Sequence, residues 1–264
     1  MAAEPTPSPE RVRVLRDGRV AVVTIDNPPV NALSQATLDQ LARAFAGLDD
    51  DEAVRAVVVA GAGSRAFVAG ADIRELAALG EGQAALLFAA KGQALLDRIE
   101  GFAKPVIAAI DGACLGGGCE LAMACHIRVA SARAVFGLPE INLGIMPGFG
   151  GTQRLPRLVG RSRALALLLT GDTVPADEAR ALGLADRLTP SGEALRSAVE
   201  LARTIAAKSQ PAARLIVEAV REGLPLPLAQ AQAVEARKFA EACATPDARE
   251  GLAAFLEKRQ PRFT

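Results

Sequence analysis

An α/β fold is predicted by three features of this 264-residue chain. Short runs rich in β-branched and small apolar residues recur along it, segments with helical period lie between them, and strand signals vanish after about residue 190. In "RVRVLRDGRVAVVTID" two β-rich runs flank Asp17-Gly18, a pair that suits a type I′ hairpin turn. "SQATLDQLARAFAGLDD" has helical period, and Ser34 is a plausible N-cap. "RAVVVAG" reads as a short buried strand, "AALLFAAKGQALLDRIE" as a helix, and "KPVIAAID" as a second buried strand with Pro105 tolerable at its first position. Gly116 to Cys125 reads as a short helix and "HIRVAS" as the strand after it. Beyond Pro190-Ser191-Gly192, "EALRSAVELARTIAAKS", "PAARLIVEAVREG", "PLAQAQAVEARKFAEAC" and "DAREGLAAFLEKR" are all helical, with Pro211 at a helix start and Asp247 as a possible cap. The expected organisation is a tail over 1–10, an α/β core over 11–192 and a helical region over 193–264. No repeat of fixed period is found.

Composition narrows the function. Half the residues are apolar, enough for a sizeable core. Thirty basic residues balance thirty acidic ones, so no uniform field favours nucleic acid or an anionic membrane. There is no Trp or Tyr, which leaves few stacking platforms for single strands. Cys114, Cys119, Cys125 and Cys243 form no Cys-x-x-Cys pair, and His126 is the only histidine. A zinc cage and a disulfide framework are both disfavoured, and the thiols are expected to be reduced in a cytoplasmic protein. "MAAEPTPSPE" reads as a frayed tail rather than a signal peptide, and no apolar run approaches the ~18 residues of a membrane span.

Three stretches carry candidate chemistry. In "FVAGADIREL", Asp72-x-x-Glu75 resembles a capping box, and Gly70 and Ala71 before it offer backbone N–H groups without bulk. In "ACLGGGCELAMAC", Gly116, Gly117 and Gly118 run into Glu120. Macrodipole complementation accounts for the glutamate but not for three glycines in a row, which are costly to order. In "FGLPEINLGIMPGFGGTQRL", Glu140 precedes four more glycines. Neither Gly-rich stretch has the spacing of a dinucleotide or phosphate loop. A helix over 117–125 carries the chain about 13 Å away, and a strand over 126–131 brings it about 18 Å back. Glu140 is therefore expected near the N-terminal end of the helix that bears Glu120. Paired carboxylates beside backbone donors suit proton traffic at the carbon α to a carbonyl, or activation of water.

These stretches, with "IDNPPVNALS" and the terminal "GLAAFLEKRQPRF", resemble in order the crotonase superfamily, the enoyl-CoA hydratase/isomerase family. The resemblance spans nearly the whole chain. It implies a spiral of ββα units followed by a helical trimerisation region, assembled as a trimer or a hexamer of two trimers. It implies an acyl-CoA thioester whose carbonyl oxygen accepts from the amides of Ala71 and Gly117. Asp72, Ile73 and Arg74, with Ala69, match the substrate-binding stretch along the CoA, and no side-chain role is assigned to Asp72. Glu120 and Glu140 match the hydratase pair that holds a water, and Gly148 matches a glycine that helps fix the second glutamate and the water. The implied reaction adds water to a trans-2-enoyl-CoA to give a 3-hydroxyacyl-CoA, with no metal or organic cofactor. Two departures stand out. His126 replaces a frequent aspartate and reads as structural, and Val30 stands where many members have a basic or polar residue near the CoA. The alternatives are an enoyl-CoA isomerase, an acyl-CoA hydrolase or decarboxylase on the same scaffold, and a CoA- or RNA-binding scaffold without activity.

Overall fold

The computed structural model describes residues 9–80 and 82–263, so of the expected tail only Pro9 and Glu10 fall within it. The hairpin forms as β1 (Val12–Asp17) and β2 (Val20–Ile25), paired antiparallel from Val12↔Ile25 to Asp17↔Val20. The turn residues are therefore Gly18 and Arg19. Only Gly18 takes a positive φ, at +60°, which is the pattern of a type II′ turn and not of the expected type I′.

Helix α1 (Gln35–Asp50) starts where Ser34 accepts a hydrogen bond from the Thr37 amide at 3.2 Å, as its sequence predicts. It buries Leu38, Leu41, Phe45 and Leu48, each worth about 1.5–3 kcal/mol of apolar burial. The ring of Phe45 meets that of Phe102 edge-on at 5.2 Å.

From here the chain winds as a spiral. Strand β3 (Ala56–Gly61) is followed by β4 (Ala66–Ala69) and the helices α2 (Ile73–Ala78) and α3 (Gln83–Glu100). Strand β5 (Val106–Ile110) is followed by β6 (Ala113–Leu115) and α4 (Gly117–Ala124). Strand β7 (Ile127–Ser131) is followed by β8 (Val135–Gly137) and a 3-10 turn (Pro139–Leu143). The second half continues with α5 (Gly151–Val159), α6 (Arg161–Thr170), β9 (Thr173–Pro175), α7 (Ala176–Leu182) and β10 (Arg187–Thr189). In each turn the first strand joins a sheet ordered β1-β2-β3-β5-β7-β10, and the second joins a smaller one ordered β4-β6-β8-β9. Pro105 lies just before β5, where its carbonyl still accepts from the Val57 amide at 2.9 Å.

Four helices complete the chain: α8 (Ala194–Ala206), α9 (Gln210–Gly223), α10 (Leu228–Cys243) and α11 (Pro246–Leu256). Ala194, Ala198, Ala202 and Ala206 recur every four residues of α8 and are all buried. The last three pack with Val20, Val58, Ile107 and Val129 on one face of the larger sheet. The cap of α11 is Thr245, whose hydroxyl accepts from the Ala248 amide at 3.1 Å. Asp247, the expected cap, is instead a buried residue in the first turn.

Among the described residues, no helix is long and apolar enough to cross a membrane.

Candidate active site

The small sheet aligns the ends of three parallel strands. Ala69 pairs with Leu115, and Leu115 with Gly137, so β4, β6 and β8 stop in register. The residues just beyond those ends are Gly70-Ala71, Gly116-Gly117 and, after a short turn, Glu140. Crevices at the carboxyl ends of parallel strands are the usual binding position in open α/β sheets.

Two amides are presented there. Leu33 donates to the Gly70 carbonyl at 2.9 Å and accepts from the Asp72 amide at 3.2 Å. In a parallel bridge of this kind the intervening residue turns its N–H to the other side. The Ala71 amide therefore faces the gap toward Gly117. Gly117 is the first residue of α4, and the first intrahelical bond runs from the Glu120 amide to the Gly116 carbonyl at 3.0 Å. The Gly117 N–H thus has no acceptor within its helix and carries the positive end of the helix dipole.

Two of the three consecutive glycines have separate steric reasons. Gly116 has φ +52°, and a Cβ on it would stand 2.9 Å from Oε1 of Glu140. Gly118 is pressed against β4, where a Cβ would lie 2.0 Å from the Val68 carbonyl oxygen. Gly117 has room, since its nearest neighbours would be side-chain carbons of Leu33 and Phe149 at 3.4 Å. It is the residue whose amide faces the site.

The two glutamates are brought together as their positions along the chain predict. Glu120 is 2% exposed. Its Oε1 accepts from the Phe149 amide at 2.8 Å and the Gly151 amide at 2.7 Å. Burial pushes its carboxyl up to about 7 against those two bonds, and the charge of Glu140 adds to the rise. Glu140 is also held above the usual carboxylate range by burial. Its Oε2 is buried and meets no hydrogen-bond partner among the described residues. One carboxylate is thus fixed by the backbone, and the other keeps an oxygen in hand.

The remaining expected residues lie along the rim. Asp72 caps α2 by accepting from the Arg74 and Glu75 amides at 2.9 and 3.3 Å. Glu75 does not close a capping box, because its Oε2 accepts from the Gln35 amide at the start of α1 instead. Ile73 and Arg74 are exposed, and Ala69 is half-buried. The Ala69 amide donates to the Val30 carbonyl at 3.0 Å. Gly148 accepts from Gln93 Nε2 through its carbonyl at 2.9 Å. The amides that its loop extends to a carboxylate come from Phe149 and Gly151, and they reach Glu120 rather than Glu140. The sequence carried no sign of those two donors, since a backbone amide has no residue signature. His126 accepts from the Val106 amide at Nδ1 (2.8 Å) and faces the Glu100 carbonyl with Nε2 (3.1 Å). Burial holds it below its ordinary value, so it is a neutral tie between α3 and β5. Among the described residues, no group of three or more His, Cys, Asp or Glu is placed to hold a metal ion.

The family described as Enoyl-CoA hydratase/isomerase matches residues 16–264. The chain belongs to this family. Its crotonase fold is that of its solved relatives. An enoyl-CoA hydratase from Bacillus anthracis superposes with a TM-score of 0.91 at 36% identity, over 96% of this chain and 99% of that one. A crotonyl-CoA hydratase of Syntrophomonas wolfei is 44% identical over 96% of this chain and 98% of its own length. A short-chain-enoyl-CoA hydratase of Clostridium acetobutylicum is 42% identical over 93% of this chain and 94% of its own length. In this hydratase/isomerase member both glutamates are present, and Glu140 lies near enough for its charge to act on Glu120.

Proposed function

We propose that the protein is an enoyl-CoA hydratase that adds water across the 2,3 double bond of a trans-2-enoyl-CoA. The observation that carries this reading is the pair itself: Glu120 gripped by two amides, and Glu140 beside it with a free oxygen. The amides of Ala71 and Gly117 hold the thioester carbonyl oxygen and stabilise the enolate that forms there. A water between the two carboxylates gives its oxygen to the β-carbon and one proton to a carboxylate. A proton from the pair then goes to the α-carbon, and the site returns to its starting charge. The pair titrates as a unit, and both groups are shifted toward neutrality, which suits a shared proton.

Ala69, Asp72, Ile73 and Arg74 line the path of the CoA in this reading, and Gly148 belongs to the loop that seats Glu120. The exposed Ile141, Ile145 and Met146 just after Glu140 offer apolar surface to the acyl chain. The reaction needs no metal or organic cofactor, because CoA arrives with the substrate. The name of the Syntrophomonas relative makes crotonyl-CoA the first substrate to try. Free, buried Cys114, Cys119 and Cys125 suit a reducing cytoplasm. The exposed Phe239, Leu252, Phe255 and Leu256 of α10 and α11 suit a trimer or hexamer.

Incubation with crotonyl-CoA and longer enoyl-CoAs, following loss of the conjugated thioester absorbance, tests the reading. Rapid loss with formation of the 3-hydroxyacyl-CoA is expected. No loss with any chain length, or migration of the double bond of a 3-enoyl-CoA alone, overturns it.

A further inference from the structure

The loop that supplies the two amides to Glu120 is not self-supporting. It is suspended from α3. Gln93 donates to the Gly148 carbonyl, and the ring of Phe149 packs against that of Phe88 at 5.2 Å. Gly92 leaves the space for that ring, since a Cβ there would lie 2.1 Å from Phe149 Cδ1. The third support comes from Arg154, in the first turns of α5. Its Nη1 donates to the Phe149 carbonyl at 2.9 Å. Its Nε and Nη2 donate to Oε2 of Glu100 at 2.9 and 2.7 Å, and Nη2 also donates to Oδ1 of Asp97 at 2.6 Å. Gln93, Asp97 and Glu100 share one exposed face of α3 by their spacing, and Phe88 and Gly92 belong to its buried side.

We propose that Arg154 is the positioning residue of Glu120. Its planar fork fixes the Phe149–Gly150 peptide, which links the two donating units, so that the Phe149 and Gly151 amides on either side of it converge on one oxygen. A guanidinium suits this task because it donates in several fixed directions at once. Its side chain is 10% exposed, whereas those of Asp97 and Glu100 are 69% and 47% exposed. Ion pairs with such open partners add little stability. Their work here is orientation. Gly150 completes the arrangement: it has φ +106°, and a Cβ there would lie 2.3 Å from Nη1 of Arg154. The loop must have glycine at that place for the guanidinium to lie beneath it.

Charge acts in the same direction. The groups that face Glu120 are Glu140, the amides of Phe149 and Gly151, and Arg154. Arg154 is the cation among them and favours the ionised carboxylate, although Asp97 and Glu100 balance part of its field. Replacement of Arg154 therefore has two separable effects, loss of geometry and loss of charge. Arg154→Lys keeps the charge and loses the fork. Arg154→Met loses both.

The kinetic part of the test rests on the hydratase reading, and the titration part does not. Hydration of crotonyl-CoA is followed for the parent, Arg154→Lys and Arg154→Met. The protonation midpoint of Glu120 is read from the carboxyl ¹³C resonance of glutamate-labelled protein, assigned with Glu120→Gln. Arg154→Lys is expected to lower kcat with KM near the parental value, by up to about 100-fold for a displacement near 1 Å. Arg154→Met is expected to lower kcat further and to move the Glu120 midpoint upward. A folded Arg154→Met protein with parental kcat and parental midpoint overturns the proposal. So does a fall in thermal stability with kcat and midpoint unmoved. Should Arg154→Met not fold, Arg154→Lys decides, and parental kcat in that variant overturns the proposal. A parent that hydrates no enoyl-CoA refutes the hydratase reading alone, because the midpoint still reports on Arg154.

Discussion

Oε1 of Glu140 lies 2.9 Å from the place a Cβ would occupy on Gly116. The glycine run and the second carboxylate are therefore one unit, although 24 positions separate them in the sequence. Gly116→Ala adds a methyl at that place and forces an L residue to φ +52°. The strain costs about 1–3 kcal/mol, and the methyl displaces Glu140. Thermal unfolding should show a folded protein of lowered Tm, and the hydration assay a large loss of kcat. Parental kcat would show that the contact is not needed.

Gly117 and Gly118 should part company. Proline is favoured at the first position of a helix, and Gly117 has space around it. Gly117→Pro removes one N–H and should lower kcat about 10²–10³-fold in a folded protein. Gly118→Ala drives a methyl into the Val68 carbonyl and should cost roughly 1–3 kcal/mol or more of stability. Circular dichroism melts and rates on both variants distinguish the roles. Near-normal turnover in Gly117→Pro would remove that amide from the mechanism.

For the carboxylate pair, Glu120→Gln and Glu140→Gln should each lower kcat by about 10²–10⁴-fold with little change in KM. The double variant should be far less damaged than the product of the two effects, because both act on one step. If one single variant keeps most of its activity, one carboxylate suffices and a proton-shuttling isomerase becomes the better description.

Stability should depend on pH through Glu120. Its carboxyl titrates near the ordinary value of about 4.3 when unfolded and at about 7 when folded. Between those limits the folded protein holds a proton that the unfolded chain has lost. Stability is therefore greatest at the acid side of this window and falls as pH rises through it, by on the order of 3 kcal/mol, then levels above it. Urea unfolding of parent and Glu120→Gln at both ends of the window checks this. Glu140 shifts in the same direction, so the variant keeps part of the slope. Equal slopes in the two proteins would contradict the assignment.

The C-terminal helices lend themselves to a direct test of assembly. Phe255 and Leu256 are 82% and 81% exposed. Replacing both with glutamate should yield a smaller species in sedimentation than the parent if these side chains lie between subunits. A monomeric parent would end the proposal of a trimer or hexamer.

Strands β1, β2, β3, β5 and β7, helices α1–α4 and α8–α11 and the glutamate pair were legible in the sequence because each rests on local pattern. Strands β4, β6, β8, β9 and β10, with three or four residues each, are too short to show a period, and α5, α6 and α7 also went unread. β-branched runs, caps such as Ser34 and Asp72, and the out-and-back length of α4 and β7 need no tertiary knowledge. The ββα recurrence left no repeat of fixed period, because each turn carries different connections and only its backbone path recurs. The grip on Glu120 was hidden for a related reason. Phe149 and Gly151 contribute amides that any residue has, and Arg154 reads as one more charge on a helix until Asp97, Glu100 and the Phe149 carbonyl are placed around it. The type II′ turn at Gly18 and the cap at Thr245 were missed by one and two positions, where neighbouring residues have similar propensities.

The alanine stripe of α8 has a consequence for how the protein is made. The order β1-β2-β3-β5-β7-β10 follows the chain, so each new strand of the larger sheet adds beside one already synthesised. One face of that sheet nevertheless waits for α8, which leaves the ribosome only after the last of its strands. Until then Val20, Val58, Ile107 and Val129 have no cover from Ala198, Ala202 and Ala206. A nascent chain stalled before residue 194 presents a bare apolar sheet, the kind of surface that chaperones hold and that aggregates recruit.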